Sequence, residues 1–305
     1  MSHHRRQSTN HIWMTEPVRF HCNVQTMPTN TYQSPDNQSI EDIQSRAASE
    51  FRTLRDRLIA AGITVTTTLG EADSPDDIFP NWASTHILDN GERVVVYYPM
   101  LNENRRLERR DFMKDLLERT YHVELDLTHH ESHNRALEGT SVLWMDRLNM
   151  VAYCSLSART DTELAQQWCG HMGYEFVPFE TKNHADKPVY HTDVMMSIGT
   201  KFAVICYECI LPDYRDHVRA ILSKSGREII EIDMRQLRAF CGNILELVSK
   251  DGEFKLVMSQ SSFDAYSPDQ IAIFRKYVTE IVTAPLTTIQ TYGGGAARCM
   301  IMELF

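Results

Sequence analysis

Residues 138–179, EGTSVLWMDRLNMVAYCSLSARTDTELAQQWCGHMGYEFVPF, decide the fold. Two short apolar runs, around Val142 to Trp144 and from Met150 to Cys154, have the length and residue types of strands. Thr160 to about Met172 spaces its apolar residues as a helix does, and Tyr174 to Phe179 returns to strand. The order is strand, strand, helix, strand.

Outward from this unit the order recurs. On the N-terminal side, Ser39 to Gly62 reads as a helix: Ile43, Ala47, Phe51, Leu54 and Leu58 share one face, Ser39 with Asp42 makes a capping-box-like start, and Gly62 supplies the stop. A strand from Ile63 to Leu69 follows, then a strand Arg93 to Tyr98, a charged helix Arg105 to Arg119 and a strand His122 to Leu127. On the C-terminal side, Val194 to Ile198 and Phe202 to Ile205 pair as a hairpin, Tyr214 to Ser223 is helical and Glu228 to Ile232 is a strand. Ile244 to Leu247 and Lys255 to Ser259 then precede a helix opened by Ser267 and Pro268, a favourable cap and first-turn pair. A unit repeated at a nearly constant interval predicts one modular domain with its helices outside and its strand-end loops converging on a central site.

Composition narrows the classes of function. The 305 residues are 42% hydrophobic and 24% charged, as in ordinary globular proteins, and contain no apolar run near the roughly 18 residues a membrane span needs. A formal charge of −10, with the basic residues scattered, disfavours nucleic acid as a partner. The polar opening MSHHRRQSTN lacks an apolar leader, so residues 1–10 are expected to be a disordered tail, residues 11–305 a single domain and the location cytoplasmic. Seven cysteines, an odd number, point to free thiols instead of a disulfide framework. Homo-oligomerisation is left open.

The chemistry concentrates in a few polar residues. Gly293, Gly294 and Gly295 stand just ahead of Cys299 and allow close backbone approach or positive φ, so that Cys299 would project into a cleft; a buried thiol in a short final strand is the alternative. Asn243, His191 in YHTD, Glu138 in EGT and Asn81 in PDDIFPNW precede it at even intervals. The steps are 56 residues from Asn243 to Cys299, 52 from His191 to Asn243, 53 from Glu138 to His191 and 57 from Asn81 to Glu138. One polar residue therefore opens each of five successive units.

EGT, HTD and the glycine-rich ending RC resemble the three catalytic motifs of the guanidino-group-modifying superfamily: arginine deiminases, dimethylarginine hydrolases and amidinotransferases. The stretch EPVRFHCNVQTMPTNTYQ (16–33) is similar to the opening motif of a bacterial branch of citrulline-utilisation, amidinotransferase-like hydrolases. The resemblance covers nearly the whole chain and implies a five-bladed, pseudo-fivefold α/β propeller. It implies Cys299 as nucleophile, His191 as general acid and base, and Glu138 as a carboxylate orienting the site. Asp193 would support the His191 loop or touch the substrate, Asn243 would join the substrate-binding set, and Arg159 in LSART would hold a substrate α-carboxylate with its planar fork. Neither cofactor nor metal is implied.

The chemistry is coherent on its own terms. A guanidino or ureido carbon is a poor electrophile, so thiolate attack divides hydrolysis into formation and breakdown of a covalent intermediate. Relatives acting on cationic guanidino groups commonly carry an acid where this chain has Asn81, and Asn, with one acceptor and two donors, suits a neutral ureido group. Citrulline is therefore favoured as substrate, with arginine or a methylarginine as alternatives; Asp76 and Asp77, in the same motif, could supply the missing charge. Transfer of the amidino group to an acceptor amine is a second reading, and a binding protein on the same fold a third. Cys206 and Cys209 are read as packing residues inside a buried strand, and His129, His130 and His133 as a polar loop instead of a zinc site.

Overall fold

The Ser39 hydroxyl accepts from the Asp42 backbone N–H and opens a helix, Ile40–Ala60, with Gly62 at φ 87° just beyond its end. Ile43, Ala47, Phe51, Leu54 and Leu58 are all buried on one face, and each of the large ones contributes about 1.5–3 kcal/mol by leaving water. The helix Pro268–Phe274 starts on the same principle, with a reciprocal capping box between Ser267 and Gln270 and proline in the first turn.

Residues 5–305 are described in this computed structural model, and among them fifteen strands form five three-stranded sheets. In the first sheet β1 (His11–Glu16) and β2 (Thr64–Leu69) run parallel. The second holds β3 (Ala83–Ile87), β4 (Arg93–Tyr97) and β5 (His122–Asp126), and the third β6 (Trp144–Asp146), β7 (Val151–Ser155) and β8 (Glu175–Phe179). The fourth holds β9 (Met196–Ile198), β10 (Phe202–Ile205) and β11 (Glu228–Glu231), and the fifth β12 (Leu245–Val248), β13 (Phe254–Ser259) and β14 (Glu280–Ala284). The last strand, β15 (Met302–Leu304), returns to pair antiparallel with β1, so the first unit is assembled from both ends of the chain.

In every sheet the middle strand is antiparallel to one neighbour and parallel to the other. Each parallel link crosses over through helix, as parallel strands require. The expected strand, strand, helix, strand repeat is therefore present. β7 and β10 are buried along their whole length, which is why VAYCS and FAVI read as unbroken apolar runs instead of alternating ones. Neighbouring sheets touch through their first strands: β15 lies against β3, β6 against β9 and β9 against β12.

Several expectations are corrected. Val142 to Trp144 is not one strand: Gly139–Val142 form a helical turn and the strand starts at Trp144. Gly139, at φ 51°, permits that turn, and a Cβ there would lie 2.3 Å from the Asn81 carbonyl oxygen. The charged helix breaks into Glu103–Arg106 and Asp111–Glu118. Cys206 and Cys209 lie beyond the end of β10, on the strand-to-helix turn ahead of the helix Pro212–Ser223, and both are buried. Because both faces of that strand are covered, its apolar run carries no sign of where it stops.

Residues 7–9, expected to belong to a disordered tail over residues 1–10, are instead packed; the first four residues of that stretch lie outside the described ones. Gln7 Nε2 donates to Met145 O (2.9 Å) and Ile198 O (3.2 Å), and Ser8 Oγ to Glu246 Oε1 (2.6 Å). Thr9 Oγ1 donates to Leu304 O (2.5 Å). These polar side chains are buried and read as a tail only because their partners are remote in sequence. Among the described residues no helix is long and apolar enough to cross a membrane.

Candidate active site

Each evenly spaced polar residue stands just ahead of its unit's first strand: Asn81 before β3, Glu138 before β6, His191 before β9, Asn243 before β12 and Cys299 before β15. Cys299, His191, Asn81, Asp76, Arg159 and Tyr190 line one cleft. Its free space is about 10 Å³, the room of one water, so an amino-acid ligand enters only as the walls part.

Cys299 sits in a short turn after the helix Thr287–Gly293, which Gly294 ends in the left-handed conformation at φ 65°. A Cβ on Gly293 would fall 2.7 Å from the Phe79 ring, so close packing demands glycine there. Asn243 secures the nucleophile loop. Its Nδ2 donates to Asp193 O (3.0 Å) and Cys299 Sγ (3.0 Å), and its Oδ1 accepts from Arg298 N (3.1 Å) and Cys299 N (3.3 Å). With its amide spent on the chain, Asn243 braces Cys299 and is not free for the substrate role expected of it.

Cys299 Sγ also lies 3.4 Å from Asp193 Oδ2, which stands 3.0 Å from Ser141 Oγ and shares that hydroxyl's single proton with Asn81 Oδ1, 2.7 Å away. Asp193 Oδ1 is buried with no partner among the described residues. Burial, and then the Asp193 carboxylate, push the Cys299 thiol above its ordinary range. Burial likewise raises Asp193, against the pull of His191 and Arg298.

The opposite side of the cleft is built on Glu138. Its Oε2 accepts from Arg159 Nη1 (2.8 Å), Arg105 Nη1 (3.1 Å) and His191 Nε2 (2.8 Å), while Leu101 N donates to Oε1 (3.3 Å). Burial opposes its ionisation, yet Arg159 and Arg105, followed by His191, hold the carboxyl well below the usual carboxylate range. Burial lowers His191 below its ordinary value despite Glu138. Its Nε2–H is donated to Glu138, and Nδ1 has no partner among the described residues.

Asp76 Oδ2 accepts from Asn23 Nδ2 (2.9 Å) and Thr26 Oγ1 (3.0 Å), and its buried Oδ1 has no partner among the described residues. Asp77 is turned away: it accepts from the Glu71 backbone N–H, packs over Gly70, and burial raises its carboxyl to about 8. It does not line the cleft and is corrected from the expected set. Asn81 Oδ1 accepts from Ser141 Oγ (2.7 Å), leaving its –NH₂, for which no acceptor stands among the described residues. Arg159, expected to hold a carboxylate of the substrate, has Nη1 on Glu138 and Nε on Thr29 Oγ1 (2.9 Å).

Arg105, Ser141 and Tyr190 belong to this site without having been read from the sequence. Arg105 is fixed by Glu108 through Nε (2.7 Å) and Nη2 (3.1 Å), and Tyr190 OH donates to Gly294 O (2.6 Å). The i, i+3 pairing of Arg105 with Glu108 was a visible signal, but inside a charged stretch it reads as a solvated helix face. Among the described residues no group of three or more His, Cys, Asp or Glu side chains is placed to hold a metal ion.

The arrangement can be set beside known proteins. The family model described as N,N dimethylarginine dimethylhydrolase, eukaryotic, matches residues 16–305. No curated protein matches the chain in sequence. The N-terminal domain of ArgZ, an arginine dihydrolase from the ornithine-ammonia cycle in cyanobacteria, has been solved with substrate and with a covalently bound reaction intermediate. The structure with the intermediate aligns with a TM-score of 0.74 at 15% identity over 97% of each chain. AgrE in complex with L-arginine gives 0.75 at 14% identity over 97% of this chain and 40% of its own, so the present chain spans well under half of AgrE. A dimethylarginine dimethylaminohydrolase adduct gives 0.64 at 16%, covering 96% of this chain and 98% of the other. At such identities the structural likeness speaks for the fold.

Proposed function

The chain belongs to the N,N dimethylarginine dimethylhydrolase family, and from that premise we propose that it hydrolyses the guanidino group of an arginine-like amino acid through a covalent bond to Cys299. The carrying observation is a pair of buried carboxylate oxygens without a partner among the described residues: Asp76 Oδ1 on the cleft wall, and Asp193 Oδ1 beside Cys299, whose Sγ is 3.4 Å from Asp193 Oδ2. Two buried acceptors call for a ligand rich in donors, and a guanidinium offers five N–H groups and no acceptor. Its positive charge would also favour the thiolate that burial and Asp193 disfavour.

The proton and electron balance follows from these groups. Cys299 loses its proton to His191 Nδ1, sulfur bonds to the guanidino carbon, and the C–N bond breaks as His191 hands that proton to the departing amine. Water then attacks the carbon and gives a proton to His191, the C–S bond breaks, and His191 returns that proton to the departing thiolate, restoring the thiol. Glu138 acts by orienting and polarising His191 and, held by two guanidiniums, stays ionised throughout.

The five sheets are proposed to close into a five-bladed ring with the cleft at its axis, residues 5–305 making one domain. Support comes from the strand contacts between neighbouring sheets and from Val248 N donating to Thr9 O (2.9 Å), which ties the fifth sheet to the start of the first. Seven unpaired cysteines agree with a reducing compartment such as the cytoplasm.

A second reading rests on Asn81. Its acceptor is taken by Ser141, so it presents donors to the cleft, and donors suit the carbonyl oxygen of a ureido group such as citrulline's. Turnover of both groups in succession would make the chain an arginine dihydrolase, as ArgZ is described.

The test is a screen of arginine, a dimethylarginine, agmatine and citrulline for ammonia, amine and carbon dioxide release, repeated with glycine or ornithine present. Amine or ammonia from a cationic substrate supports the main reading, and carbon dioxide as well supports the second. Release only in the presence of the added amine, or from no substrate, contradicts both.

A further inference from the structure

A second built cavity, of about 250 Å³, lies apart from the cleft and shares no lining residue with it. Arg5, Arg6, His86, Arg147, Tyr174 and Phe305 are among its walls. Arg147 is 7% exposed. One face of its guanidinium is covered by the Phe305 ring, with Cζ 3.9 Å from the ring centroid. Its Nη1 donates to His86 Nδ1 (3.1 Å) and Thr85 O (3.4 Å), but its Nη2 is buried without a partner among the described residues. His86, accepting at Nδ1 and donating Nε2–H to Ser84 Oγ (2.7 Å), is held as a neutral ring and gives Arg147 a hydrogen bond but no counter-charge.

Arg6 approaches the same Phe305 ring, with Cζ 5.7 Å from its centroid. The one acidic side chain among the described residues on the walls, Asp89, is already taken by two nitrogens of Arg5, at 2.8 and 2.6 Å. No carboxylate among the described residues stands within 4.0 Å of Arg6 or Arg147. Burial, then the neighbouring Arg93 and Arg147, lower the Arg6 guanidinium below its ordinary value, as clustered cations do. Arg147 is a buried guanidinium without an acid among the described residues, an electrostatic cost that an anion beside it would reduce, and the exposed Arg6 adds a second positive charge to the same walls.

We propose that this cavity is a binding site for a small oxyanion, a phosphate or carboxylate group held by Arg6 and Arg147, two guanidiniums on its walls that no carboxylate among the described residues engages. Neighbouring guanidiniums, each a planar fork of N–H donors, are the means by which arginine takes such groups.

Isothermal titration of the full chain with inorganic phosphate and, separately, with succinate tests it. Saturable binding of either probe is expected, and which one binds identifies the group. The exposed Arg6→Gln change, which leaves the catalytic cleft untouched, should weaken that binding by at least about tenfold. Arg147→Gln should abolish it in protein whose circular dichroism is unchanged; should that variant not fold, Arg6→Gln decides alone. Absence of saturable binding by both probes, or equal affinity in Arg6→Gln, overturns the proposal.

Discussion

The two sides of the cleft differ in how far their charges are settled. On the Glu138 side one carboxylate takes two guanidiniums and an imidazole within 3.1 Å, so a buried acid stays ionised without any ligand. On the Cys299 side the thiol is pushed up, Asp193 is pushed up, and an oxygen of Asp193 has no partner among the described residues. On the proposed reading, the difference means that preorganisation is concentrated where proton transfer would be managed, while the side of Cys299 would take positive charge from the substrate. A fully paired site would gain nothing by binding a guanidinium; a half-paired one gains both hydrogen bonds and a thiolate.

The comparison is broken most severely at Glu138. Glu138→Gln leaves Arg159 with no acid and Arg105 with only Glu108, and should cost roughly 3–5 kcal/mol of stability in urea unfolding together with nearly all turnover. The pH dependence identifies the cause. A depressed folded-state pKa contributes stability that is complete above the unfolded glutamate value of about 4.3 and drains away as pH falls below it. Glu138→Gln should lack that acid limb.

The opposite side is broken by Asp193→Asn, which keeps an acceptor for Ser141 but removes the charge. Turnover of arginine should fall roughly a hundredfold in kcat/KM, about 2.7 kcal/mol. In the free enzyme, alkylation of Cys299 by iodoacetamide should shift to lower pH, because the neighbour that disfavours the thiolate is gone. Slower turnover with faster alkylation is the signature; a parallel loss of both would mean that Asp193 merely holds the loop.

Asn81→Asp sharpens the contrast by adding charge. The Ser141 hydroxyl keeps its acceptor, the free –NH₂ becomes a carboxylate oxygen, and the preference for arginine over citrulline should rise by more than about tenfold, roughly 1.4 kcal/mol. An unchanged ratio of specificity constants would show that Asn81 does not face the reacting group.

The smallest effect on turnover belongs to Asp77, beside Asp76 in sequence but outside the cleft. Its carboxyl, raised from 3.8 to about 8, keeps a proton in the folded chain that the unfolded chain releases, so its contribution to stability declines as pH rises from about 4 to about 8. Asp77→Asn should flatten that slope in urea titrations at several pH values and leave turnover intact.

The repeat was legible because it is periodic: five polar residues at intervals of 52 to 57 stand at equivalent strand openings. Cys299, His191 and Glu138 came with that period. The choice between Asp76 and Asp77 could not be read, since adjacent loop residues differ only in the direction the backbone gives them. Arg105 was hidden because its burial depends on Glu138, 33 residues away, and a charged stretch ordinarily faces water. Gln7 to Thr9 were misread for a related reason: their acceptors belong to strands reached only after the chain has folded back on its own beginning.

The central claim, a covalent bond to Cys299, is tested most directly by mass spectrometry of enzyme acid-quenched during turnover of arginine. The proposed chemistry predicts an added amidino carbon on the peptide that carries Cys299, absent without substrate and absent in Cys299→Ser. An adduct on Cys154 or Cys241 instead, or steady turnover by Cys299→Ser, would contradict it.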